Sequence, residues 1–214
     1  GTVAFFPDSG RQPLQDREMV WLDDEGSRQT AAQVAAQSLA IAPEGGLVAL
    51  EVLDGTTSDL WLYDLRRDLR ERLTFDENAS LPLWTPDGNA LLYTTTRGTG
   101  RSLRRLPLGG RAEAETLRTE ARPVMAVGRA DEGGRLDFVD DSGVRALDLD
   151  EGSEPDTVVE RPNEAIVTAS LSPDGRHLAY HTCSGGLYLR EIASALVHLI
   201  DNPKATVAQL MKHI

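Results

Sequence analysis

Two histidines and the single cysteine are the residues best suited to metal binding or nucleophilic chemistry. His177 and His181 are four positions apart, a spacing that suits metal binding on a helix. The surrounding sequence predicts a strand, on which this spacing gives no tight chelate, so we predict no metal and no cofactor. Cys183 follows His181 closely, but neither an orienting third residue nor an oxyanion motif accompanies them. We interpret Cys183 as a structural residue, buried or in a turn, and predict no catalytic residue.

Three other segments have compositions that could bind ions or phosphate. The glycine-containing segments at 98–100, 109–110 and Ser184-Gly185-Gly186 lack the strand-to-helix setting of a phosphate loop, so we interpret them as hairpin turns. The acidic residues between 137 and 151 lack the ordered spacing of a calcium loop and are expected at solvated strand edges and turns. These are Asp137, Asp140, Asp141, Asp148, Asp150 and Glu151. Kinase, hydrolase and zinc-peptidase signatures are absent from the sequence.

The overall charge excludes some classes of partner. The 214 residues include 22 basic and 34 acidic side chains, a net charge of −12, which argues against nucleic acid as the partner. Arg101, Arg104, Arg105 and Arg111 form a local basic group, interpreted as a solvated strand edge. No apolar run approaches the roughly 20 residues needed to span a bilayer. The chain begins at Gly1 without an initiator methionine or targeting segment, so we expect a piece of a longer protein and leave its cellular compartment open.

A turn motif recurs along the chain with a period of 43 residues. Its copies begin at Ala42, Thr85 and Ser172, and a degraded copy at 129–133 falls where the period places the missing one. Proline presets φ at the second position of a turn, an acidic side chain bonds back to the backbone, and glycine tolerates positive φ. The predicted structural turn residues are Pro43, Gly45, Pro86, Asp87, Gly88, Pro173, Asp174 and Gly175.

Each repeat contains four short strand patterns. Apolar runs precede and follow the turn, an alternating strand such as 60–64 comes third, and a weaker segment such as 71–75 comes fourth. Four strands in about 43 residues predict an all-β fold, a β-propeller with a partial first blade and four complete four-stranded blades. The predicted blades cover residues 1–32, 38–75, 80–118, 124–160 and 166–200. An ordinary β-sandwich is the alternative, but it does not predict a fixed period that persists through a degraded copy.

The last residues have a different pattern. Asp201 or Asn202 can cap a helix, Pro203 suits its first position, and apolar residues follow at helical spacing up to Ile214. We therefore expect the propeller to occupy residues 1–200 and a short amphipathic helix to occupy residues 201–214. Its apolar face is expected to cover an exposed blade or to dock another domain.

The repeat resembles that of TolB-like, WD-type propellers of bacterial proteins. The best match runs from Thr57 to Tyr93 and includes Asp59-Leu60-Trp61, Arg72-Leu73-Thr74 and Thr85-Pro86-Asp87-Gly88. Residues 1–6 and 19–26 also look like a segment from one subgroup, in which the propeller follows a serine/threonine protein kinase domain. The resemblance covers residues 1–192, and the degraded turn near 130 and the tail after Ile192 depart from it.

The resemblance and the repeat together predict a non-catalytic scaffold that binds protein or peptide, as part of a larger sensory or regulatory bacterial protein. Loops on a rigid scaffold are where binding is usually placed, and the loops between second and third strands should share one face. The candidate contact residues on these loops are Thr56, Thr57, Arg97, Arg101, His181 and Ser184. Two alternatives are the gating propeller of a prolyl-oligopeptidase-like serine peptidase and a free periplasmic TolB-like protein. The partner, the binding face and the oligomeric state are not determined by the sequence.

Overall fold

The computed structural model describes residues 3–5, 18–22, 25–75, 78–97, 100–110, 113–120, 125–126, 135–140, 143–149, 154–160, 165–172, 176–192 and 197–199. These residues form antiparallel sheets and contain no helix. The first sheet contains β1 (Val3–Phe5), β2 (Glu18–Leu22) and β3 (Arg28–Gln33). The second contains β4 (Ala36–Ile41), β5 (Leu47–Asp54), β6 (Thr57–Asp64) and β7 (Leu69–Arg72).

Three further sheets repeat this pattern. The third contains β8 (Ala79–Trp84), β9 (Ala90–Arg97), β10 (Gly100–Pro107) and β11 (Glu115–Glu120). The fourth contains β12 (Met125–Ala126), β13 (Arg135–Asp140), β14 (Gly143–Asp148) and β15 (Asp156–Glu160). The fifth contains β16 (Ile166–Leu171), β17 (His177–Thr182), β18 (Leu187–Glu191) and β19 (Val197–Leu199). In every sheet each strand is hydrogen-bonded to its neighbour in sequence, so each sheet is a meander.

Successive sheets pack face to face around an axis. The first strands of neighbouring sheets contact each other, as β4 does with β8 and β8 with β12. The buried apolar residues lie in clusters between adjacent sheets, with Met19, Leu50 and Tyr63 between the first and second. Leu92 and Phe138 occupy the space between the third and fourth sheets. Radial packing of four-stranded sheets is the architecture of a β-propeller, so the predicted fold class is confirmed.

The repeated turn joins the first and second strands of a sheet, and its hydroxyl side chain explains its sequence. In the third sheet Thr85 Oγ1 accepts a hydrogen bond from the Ala90 amide at 3.0 Å and donates one to Asp87 Oδ1 at 2.6 Å. Asp87 Oδ1 also accepts the Asn89 amide at 3.0 Å, and Gly88 adopts a φ of 70°. These bonds lower the pKa of Asp87, first through the Thr85 hydroxyl and then through the Asn89 amide.

The other turns keep part of this arrangement. In the fifth sheet Ser172 Oγ accepts the His177 amide at 2.9 Å, while residues 173–175 lie outside the described part of the chain. In the second sheet Ala42 replaces the hydroxyl residue, and the turn closes through backbone bonds from Ala42 N to Leu47 O and from Gly45 N to Ala42 O. The backbone alone can therefore form this turn, and the hydroxyl side chain adds further hydrogen bonds to it. The degraded copy at 129–133 also lies outside the described residues.

The predicted C-terminal helix falls on residues 201–214, which lie outside the described part of the chain. The division into a propeller of residues 1–200 and a terminal helix therefore stays a prediction. Among the described residues, no helix is long and apolar enough to cross a membrane.

Candidate functional site

The strand order gives each sheet two different ends. At one end lie the repeated turns between first and second strands. At the other end lie the hairpins between second and third strands and the links from one sheet to the next. We call this second end the loop face, which comprises residues 36–38, 54–57, 78–81, 100–101, 165–168 and 182–186, together with Phe75 and Glu160. The predicted contact residues all belong to this end of their strands.

The structure assigns different environments to the six predicted contact residues. Thr56 is exposed in the hairpin between β5 and β6, and Thr57, half-buried, donates its hydroxyl to the Asp54 carbonyl at 3.1 Å. Arg101 is exposed near the start of β10, His181 is half-buried near the end of β17, and Ser184 is exposed in the following turn. Arg97 ends β9, and its side chain lies outside the described part. They lie on three different hairpins, one each of the second, third and fifth sheets.

The first strands of three sheets carry a β-bulge at the same place near the loop face. The register of β4 against β5 shifts between Ala36 and Ser38, so Gln37 is the extra residue. The corresponding shift lies between Ser80 and Leu83 in β8 and between Ile166 and Thr168 in β16. The extra residue in β16 is Val167. Bulges change the direction of a side chain and are common beside functional sites.

Apolar side chains are exposed at this end of the molecule. Four large apolar residues of the described part are exposed, and three of them lie on the loop face: Phe75 (64%), Leu81 (41%) and Val167 (55%). Leu69, at 60% exposed, lies at the opposite end of its sheet. The sequence pattern did not reveal these residues, because Leu81 and Val167 lie in apolar runs interpreted as strands, and Phe75 lies in the weaker fourth segment. Pro82 was one usable signal, since proline inside a strand often marks a bulge.

An ion pair between a buried carboxylate and a partly exposed arginine supports Phe75. The Asp59 carboxylate is 3% exposed, accepts Arg72 Nη2 at 2.6 Å, and accepts the Thr74 hydroxyl at 2.8 Å. Thr74 Oγ1 in turn accepts the Leu60 amide at 2.9 Å. The Arg72 guanidinium carbon also lies 4.9 Å from the centroid of the Phe75 ring, a cation–π distance. The Asp-Leu-Trp and Arg-Leu-Thr segments of the repeat are thus joined by one network, which fixes an aromatic ring at the surface.

An open cleft of about 270 Å³ lies beside this ring, between the second and third sheets. Its walls include Phe75, Tyr93, Arg104, Leu106 and Glu113. Arg104 Nη2 donates to the Ala114 carbonyl at 2.7 Å, so this guanidinium anchors the segment that leads into β11. Polar and apolar side chains both line the cleft, and the hydroxyl of Thr74, also in its wall, donates to the Asp59 carboxylate.

The histidine and cysteine candidates do not form a site in the described residues. His177 and His181 lie at opposite ends of β17, about 13 Å apart from the rise of roughly 3.3 Å per residue, so they cannot share one ion. Cys183 was predicted to be either buried or in a turn, and it is exposed in the turn after β17. Within the described ranges, no group of three or more histidine, cysteine, aspartate or glutamate side chains is placed to hold a metal ion.

Several charged side chains of the predicted basic and acidic groups are buried or paired. Arg101 is exposed, but Arg105 is half-buried and pairs with Glu115 at 3.6 Å, so the basic group is not one solvated edge. Asp137 and Asp140 are 7% and 6% exposed, which corrects the expectation of solvated positions for these two acids. Alternation along β10 and β13 places successive side chains on opposite faces, where the neighbouring sheets cover them. Arg111, Asp141, Asp150 and Glu151 lie outside the described residues.

The segment Ser184-Gly185-Gly186 forms a hairpin turn, as predicted. Thr182 N donates to Gly186 O and Gly185 N donates to Thr182 O, both at 3.0 Å. Gly185 adopts a φ of 90°, which favours glycine. A Cβ at Gly186 would lie 2.6 Å from Cε2 of Tyr188, whose ring stacks on that of Tyr180 with 5.1 Å between centroids. Close packing, not phosphate binding, explains this glycine.

Comparison with known proteins places the chain among propeller structures. No protein-family model matches the sequence. No curated protein matches it at sequence level. The chain is similar to the crystal structure of TolB from Acinetobacter baumannii, with a TM-score of 0.74, 22% identity, and coverage of 93% of this chain and 52% of TolB. It thus spans about half the length of that protein.

Other similar structures have different functions. A nidogen/laminin complex matches with a TM-score of 0.70 and 14% identity over 95% of this chain and 76% of the other. Two enzymes are also similar at a TM-score of 0.60 or above. They are an oligogalacturonate lyase in complex with manganese (12% identity, 92% of this chain and 61% of the other) and puromycin hydrolase (15% identity, 94% and 37%). At these identities the likeness establishes the fold alone, which is a β-propeller.

Proposed function

We propose that this chain is a non-catalytic module that binds a protein or peptide through its loop face. One observation carries the proposal: three of the four large exposed apolar residues in the described part lie at this end of the sheets. Exposed apolar groups at one end of a rigid scaffold favour an interaction site there. The likeness to TolB and to a nidogen/laminin complex is compatible with a protein partner.

The exposed polar residues of the same face would supply specificity. Thr56, Arg101 and Ser184 are exposed, and hydrogen-bonding groups around an apolar centre are the usual composition of a protein interface. Thr57 and His181 are half-buried behind them and would contact a partner that reaches between the hairpins. Arg97, at the end of β9, completes the proposed set. We further propose that the parent is a larger bacterial protein with a regulatory role, in which a kinase domain precedes the propeller.

The test is a pull-down with the purified chain as bait, in three forms. Wild-type chain should retain one or more proteins from a lysate of the source organism, identified by mass spectrometry and confirmed with purified partner. Phe75→Ser on the loop face should lose them, whereas Leu69→Ser, an equally exposed residue at the opposite end, should keep them. Loss of binding in the Leu69 variant with retention in the Phe75 variant would place the binding surface at the turn end and contradict the proposal.

A gating propeller of a hydrolase is the second candidate, and the likeness to puromycin hydrolase favours it. The chain covers 37% of that enzyme, so a hydrolase would need a further domain. A Gly-x-Ser-x-Gly motif with a downstream histidine in the parent reading frame would support this function, and an upstream kinase domain would oppose it. An upstream signal peptide and no other domain would indicate a free TolB-like protein instead.

A further inference from the structure

The loop-face bulge of the third sheet contains an apolar residue in an unfavourable backbone conformation. Leu81 has a φ of 55°, in the left-handed region that a bulky side chain rarely adopts, and its side chain is 41% exposed. Neither feature helps the chain to fold, because the conformation costs free energy and the exposure leaves apolar surface in water. Strained residues of this kind cluster at binding sites.

A buried carboxylate holds Leu81 in this conformation. The Leu81 amide donates to Glu51 Oε2 at 3.1 Å, across the gap between the second and third sheets. Glu51 is 5% exposed, and the same oxygen accepts the Ser38 hydroxyl at 2.7 Å. Both donors are neutral, so these bonds orient the carboxylate without balancing its charge. The molecule thus buries a carboxylate group to fix the backbone of an exposed leucine.

The charges nearby indicate which ligand would fit. By strand order, the acidic residues of this end outside the Asp59–Arg72 ion pair outnumber the basic ones: Glu18, Glu51, Asp54, Glu120, Asp140 and Glu160, against Arg97, Arg101 and Arg104 of the nearby cleft. The whole chain carries −12. Potentials of the opposite sign steer a partner toward a surface and fix its register. A ligand for this site would therefore combine an aliphatic side chain with lysine or arginine.

Building on the proposed function, we propose that Leu81 is the apolar anchor of the loop face and that Glu51 positions it. The ligand is an extended peptide segment with an aliphatic side chain next to basic residues. Val167, the extra residue of the equivalent bulge in β16, offers a second apolar contact on the same face.

The experiment measures fluorescence anisotropy with three labelled peptides and the whole chain. The first alternates lysine with leucine over seven residues, the second replaces each leucine by serine, and the third replaces each lysine by glutamate. We expect the first peptide to bind at least fivefold more tightly than either of the others. Equal binding of the serine peptide would overturn the apolar anchor, and equal binding of the glutamate peptide would overturn the basic ligand.

A substitution at Leu81 and a matched control at Leu69 test the assignment of Leu81. Asparagine tolerates positive φ, so Leu81→Asn should keep or raise the melting temperature while weakening the lysine–leucine peptide at least fivefold. Leu69→Asn is the matched control and should leave the affinity for the lysine–leucine peptide unchanged. A Leu81→Asn chain that binds the peptide as tightly as wild type would overturn the assignment.

The preference for the leucine peptide over the serine peptide tests whether Glu51 positions Leu81, because a general loss of stability would not change this preference. Glu51→Gln keeps an oxygen for the Leu81 amide and should retain the preference for leucine over serine, whereas Glu51→Ala should lose it. In the Leu81→Asn background Glu51→Ala should have no further effect on that preference; an additive effect would overturn the positioning role.

Failure of this inference can be told apart from failure of the proposed function. A random peptide library displayed on phage and selected on the wild-type chain provides the comparison. Selected peptides that bind equally to the Leu81→Asn chain would overturn the role of Leu81 and leave a peptide-binding module standing. A library that yields no ligand at all would overturn both.

Discussion

Replacement of Thr85 by alanine tests the account of the repeated turn. Thr85 is 4% exposed, and its hydroxyl both accepts the Ala90 amide and donates to the Asp87 carboxylate. The variant leaves a buried amide without that acceptor, which costs about 1–3 kcal/mol. It also removes a methyl group, worth about 0.8 kcal/mol. Because the backbone bond between Thr85 N and Ala90 O remains, we expect the free energy of unfolding to fall by about 2 kcal/mol at pH 7.

The assay is urea denaturation followed by tryptophan fluorescence, since Trp84 is buried next to the substitution. Thr85→Ser keeps the hydroxyl and loses only the methyl group, so it should cost less than 1 kcal/mol. The converse change, Ala42→Thr, adds the hydroxyl to the equivalent turn of the second sheet and should stabilise the chain by about 0.5–1 kcal/mol. Equal penalties for Thr85→Ser and Thr85→Ala would refute the hydrogen-bond explanation.

The stability difference between wild type and Thr85→Ala has a predicted pH dependence. The pKa of Asp87 is lowered from its ordinary value of 3.8, chiefly by the Thr85 hydroxyl. A carboxyl group with a lowered pKa stabilises the folded state above pH 3.8, and this contribution is lost as the pH falls through the folded value. Thr85→Ala raises that pKa toward the ordinary value, so the gap between wild type and variant should narrow below about pH 4. A penalty that is the same at pH 7 and pH 3 would show that the carboxylate plays no part.

Two further substitutions test other parts of the structure. Asp59→Ala leaves Arg72 without its buried carboxylate and should lower the free energy of unfolding by about 3 kcal/mol in the same denaturation assay. Asp59→Asn should lower it less. A loss under about 1 kcal/mol for Asp59→Ala would contradict the role of the network. Gly186→Ala places a Cβ 2.6 Å from the Tyr188 ring and should lower the free energy of unfolding by about 1–3 kcal/mol. It should also reduce the near-ultraviolet circular dichroism of the stacked tyrosines. An unchanged spectrum and an unchanged denaturation midpoint would show that the ring moves aside freely.

The repeat could be predicted from the sequence because its determinants are local. Proline and glycine fix the backbone of a turn through their own covalent structure, and an acidic residue reaches the amide two positions later, as Asp87 does with Asn89. Strand positions followed from the apolar runs between such turns, and strands β4 to β6 overlap the predicted ones. The hairpin at 184–186 was predicted on the same grounds.

The candidate contact residues were predicted less completely, because exposure depends on neighbours that are distant in sequence. Order along the chain placed Thr56 and Ser184 on hairpins that belong to one end of the sheets. It did not reveal Phe75, whose exposed ring is held by an arginine that pairs with Asp59 from another strand. It also gave no reason to separate Leu81 from the buried leucines around it.

The sequence by itself determined the period, the four strands of each unit and the chemistry of the turns, since each of these depends on residues within a few positions of one another. The tertiary structure decided which side chains remain exposed at the loop face and which are buried between sheets. Leu81 is in the left-handed conformation at a bulge, and its amide donates to a carboxylate of the neighbouring sheet, thirty positions earlier in the sequence. A contact across two sheets depends on how they pack, and no local pattern of residues encodes it.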